Sequence, residues 1–487
     1  MRYPIYEPDV TRYTSSIQSA LQSGWISSQG EFLDKARDEA VRVLGSPYCV
    51  LVNNGTSATH LLYKALKFRH PTLTTLYVPN SVFVAVWNCA LYEYPASALR
   101  VLEMDPATLN MREDEAYLDS LEQGAAVVIV HNVGTVVNVP RLRRLRPDLI
   151  FVEDCCEAFL ERYEGQITGT ASLCGAVSFF ANKLVTTGEG GLWYTSDPEL
   201  YAFILKSCHH GMTSERYVYD VLGYNYRMTN LQAAFLYDQL RDSDRIVETK
   251  RRVRDRYASL LREALVSPGL WMTVVRSPGL SFAELSPLLR TYGIDSRPMF
   301  YPLQTHAHLR AISAGPCAIE QDTLLMLPSS PGLTLYDQVY IATIFRALAT
   351  GTRPPQVHRI DASTRGLLDA FVANDLPPTF RYFRTRTVET CLQDHDLTLV
   401  CTENDVPVGY AHLEDRWIGV CVLPAFQGRA MGSFLLDMVL AYARGLGLPN
   451  VRLTVDSDNT IARGLYERRG FRLQEVTGTV CRMEKSL

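Results

Sequence analysis

The sequence predicts a large α/β layer domain, a smaller α+β lobe packed on it, and a second, separate α/β domain at the C-terminus. Three observations support this. The chain is 487 residues long, room for two or three compact units at roughly 150 residues each. Between about residues 46 and 200, short apolar runs alternate with helical patterns, as in a βαβ sheet with both faces covered. Around 351–357 the string GTRPPQV carries adjacent prolines that favour an extended spacer, and beyond it the pattern changes.

Taken in order, Val50–Val52, Thr75–Val78, Ala126–His131 and Leu149–Glu153 read as buried strands. Ser57–Phe68 reads as a helix, with Ala58, Leu61, Leu62 and Ala65 at helical spacing. Residues 229–266 are helical and charged on one face, and 271–348 mix strands, turns and helices. The expected division is 1–350 (large domain about 1–235, lobe about 236–350), a linker at 351–357, and a C-terminal domain at 358–487. In that last domain Asp396–Cys401 and Val408–Leu413 alternate about the turn Glu403-Asn404-Asp405, giving a hairpin followed by a strand from Trp417. Met431, Phe434, Leu435, Met438, Val439 and Tyr442 then mark a helix with one buried face.

Composition bounds the partners. With 47% hydrophobic and 21% charged residues the chain is a packed globular one, and a net charge of -4 leaves no basic field for nucleic acid or an anionic membrane. The eleven scattered cysteines form no zinc-type pairs and suit a reducing compartment. No secretory signal or long apolar run is read, so the expectation is a cytoplasmic protein.

Two constellations carry chemistry. In the first, a strand runs through NNGTSAT into a helix, so backbone N–H groups at Gly55, Thr56 and Ser57 suit a phosphate; ordinary helix capping is the alternative. Asp154 closes a later strand and Lys183 follows 29 residues on. A carboxylate can keep a pyridine nitrogen protonated, and a lysine can condense with an aldehyde. Those are the parts of a pyridoxal phosphate site.

The strings SGWISSQG at 23–30, NNGTSATHLL at 53–62, FVEDCCEA at 151–158, SFFANKLVTTGEGG at 178–191, GYNYRMTNLQAA at 223–234 and LPSSPGLT at 327–334 resemble the DegT/DnrJ/StrS sugar aminotransferases, most closely the perosamine-synthase-like branch. The resemblance implies fold type I of pyridoxal phosphate-dependent transferases, with Lys183 carrying the cofactor and shuttling the proton. Asp154 would face the pyridinium nitrogen, Glu157 the ring oxygen, and Thr56, Ser57 and Ser178 the phosphate. Phe83 would stack on the ring, against the alternative of ordinary core. Asn225 would reach the phosphate of the other subunit, making a homodimer part of the site. Phe159-Leu160 stand where relatives often have His-Gly.

In the second constellation, PAFQGRAMG precedes the amphipathic helix. Successive N–H groups from Gln427 to Gly432, with Arg429 among them, form an anion nest fit for a pyrophosphate. The segment 358–487 resembles a GNAT N-acetyltransferase, whose loop reads here Gln427, Gly428, Arg429, Ala430, Met431, Gly432, with Ala430 where glycine is usual. Asn459, Tyr466 and Gly470-Phe471 fit the same family. The resemblance implies acetyl-CoA bound through the backbone of Val420 and Val422, with Tyr466 protonating the leaving thiolate. His412 and Glu414 are the candidate bases, each against a purely structural alternative. No metal set is read; His209-His210 have no completing ligands.

Together the halves suggest consecutive steps on a nucleotide-linked 4-keto-6-deoxyhexose: amination with glutamate as donor, then N-acetylation of the new amine. The alternatives are a 3-keto sugar or cyclitol aminotransferase beside an unrelated acetyltransferase, or one half serving only as a scaffold.

Overall fold

The computed structural model describes residues 2–267 and 269–487. By compactness the chain divides into two units. One runs through Ala258 and takes in Arg262–Ser286 and Gly293–Gly332; the other holds Ser259–Leu261, Pro287–Tyr292 and Leu333–Leu487.

The first unit is built on a seven-stranded sheet in the order Tyr48–Val52, Gly191–Thr195, Gly175–Ser178, Ile150–Asp154, Ala126–Val130, Leu76–Pro79, Leu99–Leu102. Gly191–Thr195 runs antiparallel to both neighbours and the rest are mutually parallel. All five residues of Ala126–Val130 are buried, which is why these strands read as apolar runs without alternation. Each buried Val or Ile contributes about 1.5–3 kcal/mol. The loops after Val52, Asp154 and Ser178 therefore leave from one sheet edge, the place where open α/β sheets bind ligands. Residues 229–266 form two helices, Asn230–Arg241 and Ser243–Leu261, interrupted at Asp242. A four-stranded sheet, Leu265–Ser267, Thr273–Arg276, Leu324–Leu327 and Arg297–Pro298, makes the smaller lobe.

The second unit contains a seven-stranded sheet in the order Gln356–Arg359, Leu397–Glu403, Val406–Glu414, Trp417–Val422, Asn450–Asp456, Val480–Ser486, Arg472–Thr477. The hairpin turns at Asn404 and Asp405, both at positive φ (48° and 64°), as a two-residue type I′ connection requires. Gln356 and Val357, read from the sequence as spacer, instead begin the edge strand, with Val357 buried opposite Cys401. A proline pair stiffens only the residues beside it and does not oppose the strand that follows. Within this unit the helix Leu335–Ala349 meets the helix Met431–Gly445 so closely that a side chain at Gly445 would overlap Leu335.

No helix among the described residues is long and apolar enough to cross a membrane. All eleven cysteines are free.

Candidate functional site

The first site gathers at the edge described above. Gly55 opens the helix Gly55–Arg69, and its cap is Asn54, whose Oδ1 accepts the Ser57 N–H at 2.8 Å, an arrangement that stabilises the helix by about 1 kcal/mol. The Ser57 hydroxyl donates to Asn53 Oδ1 at 2.7 Å. Ser and Thr are thus relieved of capping. A side chain at Gly55 would overlap Ser178, so only glycine lets the helix start lie against that hydroxyl. Thr56 is exposed and Ser178 is buried. Asn225 adjoins the cradle: its carbonyl accepts from Asn53 Nδ2 at 3.4 Å and its Oδ1 from Arg227 Nε at 2.9 Å. Phe83 is 54% exposed with its ring edge toward Phe300, so it is not core.

The same helix orients the acid. Thr59 donates to Asp154 Oδ2 at 2.8 Å, and the Cys156 N–H donates to Oδ1 at 3.0 Å, leaving a buried carboxylate held from two sides. Cys156 and Glu157 each lie in the fields of both Asp154 and Lys183. Glu157 Oε2 accepts the Val133 N–H at 2.7 Å and Oε1 stands 3.9 Å from Lys183 Nζ. Burial pushes the Glu157 carboxyl up to about 7, against the lowering pull of Lys183. Lys183 Nζ also lies 3.8 Å from the centroid of the Trp271 ring. Leu160 adopts φ 69°, a left-handed backbone that costs a non-glycine residue about 1–2 kcal/mol. Asn54, Thr59, Val133 and Trp271 escaped sequence reasoning. Asn54 was legible as a cap; Trp271 had no local signal, because it lies 88 residues from Lys183.

In the second unit, the strands Trp417–Val422 and Asn450–Asp456 are parallel but pair only at Trp417 and Arg452, so they part beyond that point. Leu423 N–H donates to Val408. By alternation the polar backbone groups of Val420 and Val422 then face the other way, into the gap. Val422 C=O accepts from Gln427 Nε2 at 3.0 Å. Gly428 and Ala430 have φ 78° and 60°, turning successive N–H groups of the loop to one side, and Gly432 sits against Val420 and Val422. Arg429 is engaged by Glu403 at 2.9 Å rather than standing free. Asn459 caps the helix Thr460–Arg468, accepting from Ala462 N–H at 3.1 Å. From that helix Tyr466 is buried beside Cys421, and burial pushes its hydroxyl up to about 12.

His412 projects from the same face of the sheet as Cys421, its strand partner being Gly419, where any side chain would overlap the imidazole. It stacks on His395 at 4.4 Å and meets the tilted ring of Tyr382 at 4.2 Å, and its buried Nδ1 has no hydrogen-bond partner among the described residues. Burial, then His395 and Arg386, hold His412 well below the usual imidazole range; burial lowers His395 to about 4. Glu414 accepts from Tyr382 at 2.9 Å and from Arg386 at 2.7 Å, and Tyr382 also contacts His395 Nε2 at 2.6 Å. The Tyr382 hydroxyl thus lies between His395 and Glu414, two members of a group of potential metal ligands completed by His412. Tyr382, His395 and Arg386 were not anticipated, since they come from separate segments that only folding joins.

The profile of the DegT/DnrJ/EryC1/StrS aminotransferase family matches residues 9–346, and that of the GNAT acetyltransferase family matches residues 364–471. The chain is 30% identical over 357 residues to GDP-perosamine synthase of Escherichia coli O157:H7, covering 70% of this chain and 97% of that protein. It is also 30% identical over 285 residues to dTDP-3-amino-3,4,6-trideoxy-alpha-D-glucose transaminase of Micromonospora megalomicea, covering 55% of this chain and 72% of that protein. Among solved structures, a Helicobacter pylori aminotransferase involved in pseudoaminic acid biosynthesis superposes with TM-score 0.65 at 20% identity, covering 72% of this chain and 100% of that one. The E. coli GDP-4-keto-6-deoxy-D-mannose-3-dehydratase with hydrated pyridoxal phosphate gives 0.64 at 21% identity, covering 70% and 99%.

Proposed function

The chain belongs to the DegT/DnrJ/EryC1/StrS aminotransferase family, pyridoxal phosphate-dependent enzymes, and carries a GNAT acetyltransferase domain. From that premise we propose that it aminates a nucleotide-linked 4-keto-6-deoxyhexose with glutamate as donor and then acetylates the new 4-amine from acetyl-CoA. The observation that supports the reading is the convergence on one sheet edge of a glycine-opened helix start, a doubly held buried carboxylate and a lysine. Likeness to GDP-perosamine synthase favours a 4-keto sugar.

The residues fit the cofactor. Gly55, where any Cβ would overlap Ser178, offers a backbone cradle for phosphate, with Thr56 and Ser178 as hydroxyl donors and Ser57 joining them once its hydroxyl turns from Asn53. Asp154 would keep the ring nitrogen protonated and Glu157 would meet the ring oxygen. Phe83 would cover the ring and Asn225 would serve the phosphate across a homodimer. When bound, the ring supplies an electron sink for the carbon bearing the transferred nitrogen. Lys183 Nζ would hold the cofactor and carry the proton between its own amine and the reacting atoms.

In the acetyl step, Val420 and Val422 would hold the pantetheine arm along the opened strand gap, and the 427–432 loop the pyrophosphate. Tyr466, still protonated at neutral pH, would give its proton to the departing sulfur. His412, held neutral by burial, would take the proton that the acceptor amine gives up, directly or through water. Glu414, tied to Arg386 and Tyr382, would orient that group rather than take the proton. Sharing one chain raises the effective concentration of the intermediate amine at the second site.

The test is to incubate the chain with pyridoxal phosphate, GDP-4-keto-6-deoxymannose, glutamate and acetyl-CoA. The expected product in the mass spectrum is the acetamido sugar nucleotide, the amine alone accumulating without acetyl-CoA. Absence of both products overturns the reading. Likeness to the Micromonospora transaminase keeps a 3-amino product as a second reading, which product NMR distinguishes.

A further inference from the structure

We propose that Trp271, with Glu157, is a positioning residue: a seat that holds the ammonium group of Lys183 whenever that lysine is not joined to the cofactor. The inference rests on the reading of Lys183 as the cofactor-bearing lysine.

Lys183 Nζ stands 3.8 Å from the Trp271 ring centroid and 3.9 Å from Glu157 Oε1, in a narrow cleft lined also by Cys156, Phe159 and Leu270. Only 13% of the Lys183 side chain is exposed. An ammonium at that depth needs compensation, and two groups supply it: one carboxylate at the limit of ion pairing, and the electron-rich face of the largest aromatic side chain.

The ring cannot drift from its place. Its indole N–H donates to the carbonyl of Asn182, the residue just before the lysine, at 2.9 Å. Its own carbonyl accepts from the buried ammonium of Lys250 at 3.1 Å, and that ammonium also donates to the Ser329 carbonyl. Leu270 N–H donates to Glu161 Oε1 at 2.7 Å. Trp271 is therefore fixed relative to the backbone of the lysine it faces, which is what a seat requires and a space-filling core residue does not. A lysine that repeatedly leaves and rejoins a cofactor gains from waiting at one place close to its target rather than in solvent.

The test labels Lys183 with acetic anhydride at pH 8 in the cofactor-free full-length chain and reads the rate by peptide mass spectrometry against the other lysines. Acylation needs the free amine, so loss of the aromatic face speeds it. Trp271→Leu is expected to raise the Lys183 rate about fivefold and Trp271→Phe, which keeps a smaller face, about twofold. Both variants lose the indole N–H bond, so the difference between them isolates the ring. Equal rates in the parent and both variants, an equal rise in both, or slowing in either overturns the proposal. Should Trp271→Leu fail to fold, Trp271→Phe against the parent still decides, no rise being the overturning result. Borohydride reduction of the cofactor-loaded parent separately checks the underlying reading: cofactor mass absent from Lys183 would sink that reading, whereas the labelling result concerns the seat alone.

Discussion

Burial sets the proton state of two side chains at the proposed sites. Tyr466, pushed up to about 12, holds its proton throughout the neutral range. Tyr466→Phe is therefore expected to lower kcat for acetyl transfer about 10²-fold with little change in the KM for acetyl-CoA, and to leave amination unchanged, as steady-state assays of the two half-reactions would show. Glu157 is raised to about 7 by burial, with Lys183 opposing. Its folded pKa lies above the ordinary carboxyl value, so between about pH 4.5 and 7 the folded state binds the proton and the unfolded chain does not. Stability from this group is thus present at the acid end of the window and is lost as pH rises through 7. Denaturation midpoints at pH 5 and 7.5 should differ less in Glu157→Gln than in the parent; an unchanged difference would contradict the assignment. Lys183 and Asp154 were legible as candidates because the contiguous strings that hold them, FVEDCCEA and SFFANKLVTTGEGG, resemble those of a known family. The hydrogen bonds that orient Asp154, from Thr59 and Cys156, were not, since one of them spans 95 residues.

At the scale of elements, two glycines decide how strands and helices approach one another. Gly419 leaves room for the His412 ring on the neighbouring strand, and a methyl group there would overlap the imidazole. Gly419→Ala should cut acetyl transfer by at least tenfold while amination by the same chain is retained; equal activity would show that the ring can shift at no cost. Gly55→Ala would push Ser178 away from the helix start, and the expected outcome is loss of the cofactor absorbance band on gel filtration together with a lower Tm. The 427–432 loop shows the reverse case. Ala430 sits at φ 60°, a conformation glycine takes freely, so the departure from glycine seen in the sequence changes the cost of the turn and not its shape. Strands, the amphipathic helix Met431–Gly445 and the hairpin at Asn404-Asp405 were readable from periodicity and turn chemistry. The edge strand Gln356–Arg359 was hidden by the prolines preceding it.

For the whole molecule, the family match runs to residue 346, yet compactness groups Leu333–Leu487 together, with Leu335 lying against Gly445 inside that unit. A fragment beginning at residue 333 should therefore melt several degrees above one beginning at 358, which would expose the face that Leu335–Ala349 covers; equal melting temperatures would place that helix's contribution elsewhere. The sequence by itself determined the two enzyme families and their order along the chain, and it put forward Lys183, Asp154 and Tyr466 as candidate site residues. Each of these is carried by a contiguous string or by a period of two or 3.6 residues, and such local patterns survive without a fold. Only the tertiary structure decided what surrounds them: Trp271 beneath Lys183, Tyr382 between His395 and Glu414, and the parting of two parallel strands where the acyl carrier would lie. Those contacts join residues far apart in the chain, and their energies come from burial and hydrogen-bond geometry that exist only once the sheet edges have closed.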